Sequence, residues 1–213
     1  LGHILERLKK CRKVKKIILC VPDNKKNLCL INIAKKEKIN FFAGSHSNLV
    51  KRYYDAAKKF NIDPIIRIPG DNIIPEPEEI DKILTHHIKQ KKKVFSSNLT
   101  PFLDSGYPDG IGAEVFNFSL LEEIFNLKLT KRQKEHVHIN FIKGIPFNSK
   151  RNEISTIKCP KKYSRPEYSF DINYKYQYLL FKKMYSDLYA KKKYFNIMDS
   201  INWMDQNQKQ NRK

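Results

Sequence analysis

A chain of 213 residues, 40% hydrophobic and 12% aromatic, has the length of one ordinary domain and enough apolar side chains to bury a core, which excludes a disordered polymer. Its apolar runs fall far short of the roughly 20 residues of a membrane-spanning helix, and its start lacks the basic, apolar, small-residue order of a signal peptide, so the expectation is a cytoplasmic protein with no membrane partner. The net charge of +20 is carried by lysines scattered over polar helix faces, with few arginines, which points to a solvated surface rather than a clustered nucleic-acid patch, although such a field also attracts an anionic nucleotide.

In chain order, Leu1 to Arg12 reads as an amphipathic helix with Leu1, Ile4, Leu5 and Leu8 on one face, already the middle of something rather than a beginning. Lys15 to Val21 is an apolar strand ending at Pro22. A helix over Asn24 to Lys38 follows, then a strand over Ile39 to Phe42 stopped by Gly44. The alternation continues with a helix over Ser47 to Phe60, a strand over Pro64 to Ile68 and a helix over Glu78 to Lys89. Strand and helix alternating at this spacing predict βαβ units in an α/β fold. Beyond Val94 the pattern shifts to extended pieces at Val94 to Leu99 and Gly112 to Phe118, separated by a turn-rich stretch, Thr100 to Gly112. Helices are predicted over Ser119 to Leu127 and Thr130 to Phe141, then a polar loop, strands at Glu153 to Lys158 and Tyr168 to Ile172, a helix over Tyr174 to Tyr189, and a loose polar tail after Ile201.

The most informative segment is Ile65 to Pro75, where an apolar strand runs into Gly70 and Asp71. Ligands of open α/β sheets bind at the carboxyl ends of strands, so Asp71 stands at a crevice mouth, suited to a magnesium ion that takes one or two carboxylates. A plain turn explains the same pair. Asp171 ends the run Tyr168 to Phe170 and is either a second such carboxylate or the cap of the helix that follows. Cys11, Cys20, Cys29 and Cys159 form no CxxC pair and suggest neither zinc nor a disulfide framework. The pairs His86 with His87 and His136 with His138 have the wrong spacing for ligands on a helix; a surface His86 and a packed or hydrogen-bonded His136 are expected instead.

Taken together, ERLKKC at Glu6 to Cys11, GSHSNLVKRYYDAAKKF at Gly44 to Phe60, RIPGDNII at Arg67 to Ile74, YPDGIGAEVFNF at Tyr107 to Phe118, KEHVHINF at Lys134 to Phe141 and SFDIN at Ser169 to Asn173 resemble the SpsF-type cytidylyltransferases, over nearly the whole chain to about Tyr189. The resemblance implies a three-layer α/β/α fold of nucleotide-diphospho-sugar transferase type, with a mostly parallel mixed sheet whose first strand is absent. It implies transfer of CMP from CTP to a sugar or sugar acid, with Mg²⁺ as cofactor, and a homodimer. It assigns the metal to Asp71 and Asp171, with Arg67 beside them, and the nucleotide border to Gly44, Ser45, Asn48, Arg52 and Gly70. The sugar wall falls to Pro108, Asp109, Gly110 and Glu114, with Glu135 and His136 from the family's Arg-Glu-His segment. For Arg52 and Arg67 a structural ion pair is the equal alternative.

Three departures accompany it. The family's opening strand and phosphate-gripping loop have no counterpart, Lys134 stands for the family arginine and Glu167 for a basic residue, and His46 and Ser47 replace acids. On this reading residues 1–190 form an N-terminally incomplete nucleotidyltransferase domain and 191–213 a basic polar C-terminal extension. A non-catalytic relative of the same fold and a basic nucleic-acid-binding protein are the alternatives.

Overall fold

In the computed structural model of the protein, residues 1–90, 93–99, 104–142 and 152–210 are described. The lysine run at 91–93, the first part of the turn-rich stretch and most of the polar loop before residue 152 therefore lie wholly or partly outside the described residues.

The amino-terminal part alternates as expected: α1 (Gly2–Leu8), β1 (Ile18–Pro22), α2 (Leu28–Lys36), β2 (Asn40–Gly44), α3 (Leu49–Phe60), β3 (Ile65–Arg67) and α4 (Pro77–Ile88). Local chemistry sets these boundaries. The Asn48 side chain accepts the Lys51 amide hydrogen at 2.9 Å and caps α3, which ends on Asn61 in the left-handed conformation. Helix α4 begins with Pro77, carries Glu78 and Glu79 in its first turn and ends on His86 and His87, the order a helix dipole favours.

Next come β4 (Lys93–Ser97), β5 (Glu114–Phe116), α5 (Phe118–Phe125), α6 (Lys131–Glu135), α7 (Ile139–Ile142), β6 (Asn152–Ser155), α8 (Lys175–Tyr189) and α9 (Ile197–Gln210). The sheet is mixed and comes in two sections. Strands β1 and β2 pair in parallel, and a second section has the order β3-β5-β4-β6, antiparallel across β3/β5 and β5/β4 and parallel across β4/β6.

Period-2 alternation along β3 and β5 divides the core into two layers. Ile65 and Phe116 pack with Val50, Ala57, Leu120 and Leu121 on the α3/α5 face, whereas Ile66 and Val115 pack with Ile80, Ile83 and Leu84 on the α4 face. A third cluster gathers Tyr107, Phe170, Phe181 and Met184 with Phe195, Ile197, Ile201 and Trp203. Each such side chain, fully buried, contributes about 1.5–3 kcal/mol.

That third cluster corrects the expected loose tail. Within the chain after residue 190, Ile197–Gln210 forms α9, whose buried Ile197, Ile201, Trp203 and Met204 recur at helical spacing. Arg7 anchors it: buried at 1% exposure, it donates to Pro75 O at 3.0 Å, to Phe195 O at 3.0 Å and to Glu76 at 3.2 Å, while the Ile197 amide also donates to Glu76.

The helix expected over Thr130 to Phe141 is broken. Helix α6 stops at Glu135 because His136 takes extended backbone angles, and the Asn140 side chain donates to the carbonyls of Gln133 and Val137 that continued helix would have used. Among the described residues no helix is long and apolar enough to cross a membrane. The four cysteines are free thiols.

Candidate active site

Strand β3 leaves the sheet through Ile68 and Pro69 to Gly70 and Asp71, and two other segments meet it there. Asn72 bridges Asp171 in antiparallel fashion, and Asp109 bridges Ser169 in parallel. The Ile172 amide donates to Asp71 O at 3.1 Å, Ile73 N to Phe170 O at 3.1 Å, Asp109 N to Tyr168 O at 2.9 Å and Phe170 N to Asp109 O at 2.9 Å. Residues 168–172 thus run as a short extended piece between the other two, and three aspartates distant in sequence come to one exit.

Gly110 permits this approach. Its φ is +85°, and a Cβ there would stand 2.7 Å from the carbonyl carbon of Phe170. At Gly70, by contrast, a Cβ would meet nothing within 4 Å, so backbone crowding does not require that glycine.

The electrostatics reflect the convergence. Burial, then the Asp171 carboxylate, with Asp71 and Glu114 adding, push Asp109 up to about 6, against the lowering hydrogen bond from the Gly110 amide. Asp171 accepts from Ser169 Oγ and Asn173 Nδ2. It does not cap α8: the amides of Asn173 and Tyr174 donate to Gln177 Oε1 instead, at 2.8 and 2.9 Å.

Arg67 and Glu114 are in register on β3 and β5, with Arg67 Nη1 donating to Glu114 Oε2 at 2.7 Å. Burial alone would lower the guanidinium, but Glu114 and then Tyr53 hold it above its ordinary value. Arg67 therefore forms the ion pair that was the alternative at the level of sequence. His138, brought inward by the break after α6, sits 4.0 Å from the same carboxylate, and its imidazole is lowered by burial despite Glu114. Glu135 and His136, the residues named from the family segment, are exposed. His136 is thus not packed, as had been expected, because the extended turn directs buried Val137 rather than His136 into the core. His86 is half-buried against Ser155 rather than on the surface, 2.5 Å from its hydroxyl.

Gly44, Ser45, Asn48 and Arg52 form a compact junction between β2 and α3. Asn48 N donates to Ser45 Oγ at 3.2 Å, Arg52 Nε to Ser45 O at 2.9 Å and Arg52 Nη2 to His46 O at 3.3 Å. A Cβ on Gly44 would collide with the Phe42 ring at 2.5 Å. Arg52 thus grips backbone carbonyls, and burial lowers its guanidinium. Pro108 is buried behind Asp109.

Two donors are left over. Arg67 Nε and Asn72 Nδ2 are buried without a hydrogen-bond partner among the described residues. An orphaned buried donor costs about 1–3 kcal/mol, which a ligand oxygen would relieve. Asn72 was not singled out from sequence; that it follows Asp71 and is itself the bridge partner of Asp171 becomes visible only in the folded chain. Ser169 and Asn173 were legible in principle, since Ser169, Asp171 and Asn173 alternate at the strand period and share one face.

The donor set is compatible with a magnesium ion. Asp71 and Asp171 offer hard oxygens on adjoining segments, next to Asp109, whose carboxyl is pushed up first by burial and then by Asp171. Among the described residues no three His, Cys, Asp or Glu side chains are arranged to hold a metal, so such an ion would complete its shell with water and phosphate.

Comparison with known proteins agrees with this architecture. Residues 1–200 match the cytidylyltransferase family. An uncharacterised protein of Methanocaldococcus jannaschii is 32% identical over 134 residues, covering 63% of this chain and 52% of that protein. The spore coat polysaccharide biosynthesis protein SpsF of Bacillus subtilis is 28% identical over 151 residues, covering 70% and 58%. The chain therefore spans somewhat more than half the length of these curated relatives. A solved cytidylyltransferase from Leptospira borgpetersenii superposes with a TM-score of 0.83 at 26% identity, covering 98% of this chain and 84% of its own. The CMP:2-keto-3-deoxy-manno-octonic acid synthetase solved with CTP shares the fold, with a TM-score of 0.53 at 10% identity over 85% of this chain and 87% of its own. With an α/β sheet of the same fold and a family match running from α1 into α9, the chain belongs to the cytidylyltransferase family.

Proposed function

We propose that the protein, in the cytoplasm, transfers CMP from CTP to a sugar or sugar acid destined for a surface polysaccharide, releasing pyrophosphate. The observation that carries this reading is the convergence of Asp71, Asp109 and Asp171 at the exit of β3. A sugar hydroxyl oxygen bonds to the α-phosphorus as the bond to the pyrophosphate oxygen breaks, and the hydroxyl proton is lost to solvent or a site base. Such a transfer needs positioning and neutralised charge more than covalent help.

Asp71 and Asp171 are the proposed holders of a magnesium ion, which when bound supplies positive charge against the α-phosphate. Ser169 and Asn173 orient the Asp171 carboxylate. Arg67 Nε and Asn72 Nδ2 offer hydrogen bonds to ligand oxygens, and the Gly44–Arg52 junction with Gly70 borders the nucleotide. Pro108, Asp109, Gly110 and Glu114 border the sugar, with Glu135 and His136 at its outer edge. The exposed Tyr174 at the N-cap of α8 and Tyr176, Tyr178 and Leu179 on it support a homodimer through that helix.

One observation favours a second reading. Ser45, Asn48 and Arg52 direct hydrogen bonds into their own junction, as they would in a relative that has kept the scaffold without binding nucleotide. Titration calorimetry with CTP and Mg²⁺, alongside pyrophosphate release with a panel of sugar acids, separates the two. Binding that disappears in a folded Asp71→Asn variant is the expected result. No binding by the wild-type chain, or unchanged turnover in that variant, would overturn the assignment.

A further inference from the structure

The break after α6 fixes a histidine beside the site. Val137, fully buried, and Phe141 pack into the α3/α5 layer on either side of His138, and the Asn140 side chain ties the turn by donating to the carbonyls of Gln133 and Val137 at 2.8 and 3.2 Å. His138 is thereby held in place without being sealed off, its side chain remaining 29% exposed.

Arg67 and Glu114 lie two positions from Ile65 and Phe116 on paired strands, so the strand period puts all four on the face that α3, α5 and this turn cover. There Glu114, its side chain 2% exposed, accepts from Arg67 Nη1 through Oε2 at 2.7 Å and presents Oε1 to His138 Nδ1 at 4.0 Å. Burial and then Asp171 raise Asp109, with Asp71 and Glu114 adding, so the group of Arg67, Glu114 and His138 adjoins the aspartates at the exit of β3. The family segment assigns Glu135 and His136, both exposed, and not this histidine.

The charged groups facing the imidazole are Glu114 from β5, Arg67 from β3, Arg132 from α6 and His136 from its own turn, with Tyr53 of α3 held on Arg67. Burial outweighs Glu114 and keeps the imidazole below its ordinary value, hence neutral near neutral pH. A neutral imidazole that turns its Nδ1–H to a carboxylate keeps the lone pair of Nε2 for a proton, and the carboxylate stabilises the imidazolium that forms. A separation of 4.0 Å is longer than a hydrogen bond, but such contacts are commonly long before substrate binds and tighten with it. The acids nearby are worse placed to take a proton: Glu114 spends one oxygen on Arg67 and is almost fully covered, and Asp109 already accepts the Gly110 amide hydrogen at 2.7 Å.

We propose that His138 is the base of the transfer, its Nε2 taking the proton of the attacking sugar hydroxyl while Glu114 holds Nδ1. The hydroxyl oxygen bonds to the α-phosphorus as its proton moves to Nε2. The bond from that phosphorus to the bridging oxygen breaks with its electron pair leaving on pyrophosphate, and the imidazolium then passes the proton to water. This rests on the CMP-transfer reading above and adds to it the group that removes the proton.

The test follows pyrophosphate release by the 213-residue chain with CTP, Mg²⁺ and a panel of sugar acids, the acceptor with the fastest turnover being carried forward. His138→Gln, verified as folded by circular dichroism, is expected to lower kcat by about 10²-fold or more with little change in the KM for the acceptor. It is also expected to remove the limb of the kcat/KM profile that falls with acid below about pH 6.5, where the wild-type imidazole becomes protonated. In His138→Ala, added imidazole is expected to return part of the lost rate. Undiminished kcat in His138→Gln, a loss confined to KM, an unchanged acidic limb, which would then belong to Asp109, or a loss that imidazole leaves unreversed would each overturn the proposal while the transfer itself stands. A wild-type chain that releases no pyrophosphate with any acceptor would overturn the CMP-transfer reading, and this assignment with it.

Discussion

Gly110 lies against Phe170 so closely that a Cβ would stand 2.7 Å from the phenylalanine carbonyl carbon, at a φ of +85°. This contact lets the Asp109 segment pair with residues 168–172. Gly110→Ala is expected to destabilise the protein by about 1–3 kcal/mol from backbone strain alone, more with the clash. Urea unfolding measures that loss. Any stabilisation by Mg²⁺ should fall with it, because the segments that bring the aspartates together move apart.

Asp109 provides a pH signature. Burial and Asp171 raise it to about 6, so the folded state holds its proton more tightly than the unfolded chain. The stability this contributes is full below the usual carboxylate range and is lost as pH rises from about 4 through about 6. Asp109→Asn keeps an oxygen to accept the Gly110 N–H. It is expected to raise the urea midpoint near neutral pH and leave it almost unchanged at about pH 4. An equal shift at both pH values would show that charge is not the cause.

The Arg67–Glu114 pair, at 2.7 Å and with side-chain exposures of 11% and 2%, is buried enough that breaking it strands a charge. Glu114→Gln is expected to cost about 3–5 kcal/mol in urea unfolding, and adding Arg67→Met should recover much of it. Failure of the second substitution to recover stability would place the cost in Glu114 packing or in its contact with His138 rather than in the pair.

The carboxyl-terminal helix belongs to the core. A chain ending at Ala190 loses Phe195, Ile197, Ile201 and Trp203, and leaves Arg7 without the carbonyl of Phe195 and Glu76 without the amide of Ile197. Deletion of residues 191–213 is expected to abolish the cooperative thermal transition that the full chain is expected to show. A truncated protein with an unchanged Tm would return this segment to the status of an appendage.

The sequence by itself determined what depends on near neighbours. Apolar period, caps and turn residues along 1–90 were enough to place each strand and helix to within a few residues, because those signals act within one turn or one strand. The exit of β3 at Gly70 and Asp71 was legible for the same reason. The alternation of Ser169, Asp171 and Asn173 was also there to be read, but nothing local says which segment a lone extended piece will pair with.

Only the tertiary structure decided the rest. Whether Asp171 caps α8 or joins Asp71 depended on hydrogen bonds across a separation of 100 positions. The choice for Arg67 between a ligand and an ion pair turned on the antiparallel register of β3 and β5. That Arg7, on a helix face that reads as polar, is buried depended on carbonyls at Pro75 and Phe195 that no local pattern connects to it. The tail from residue 191 reads as polar on average, yet Phe195, Ile197, Ile201, Trp203 and Met204 fold inward onto the core around Tyr107 and Phe170. Long-range pairing and burial are properties of surfaces that exist only once the chain has met itself, and they set which carboxylates share a site.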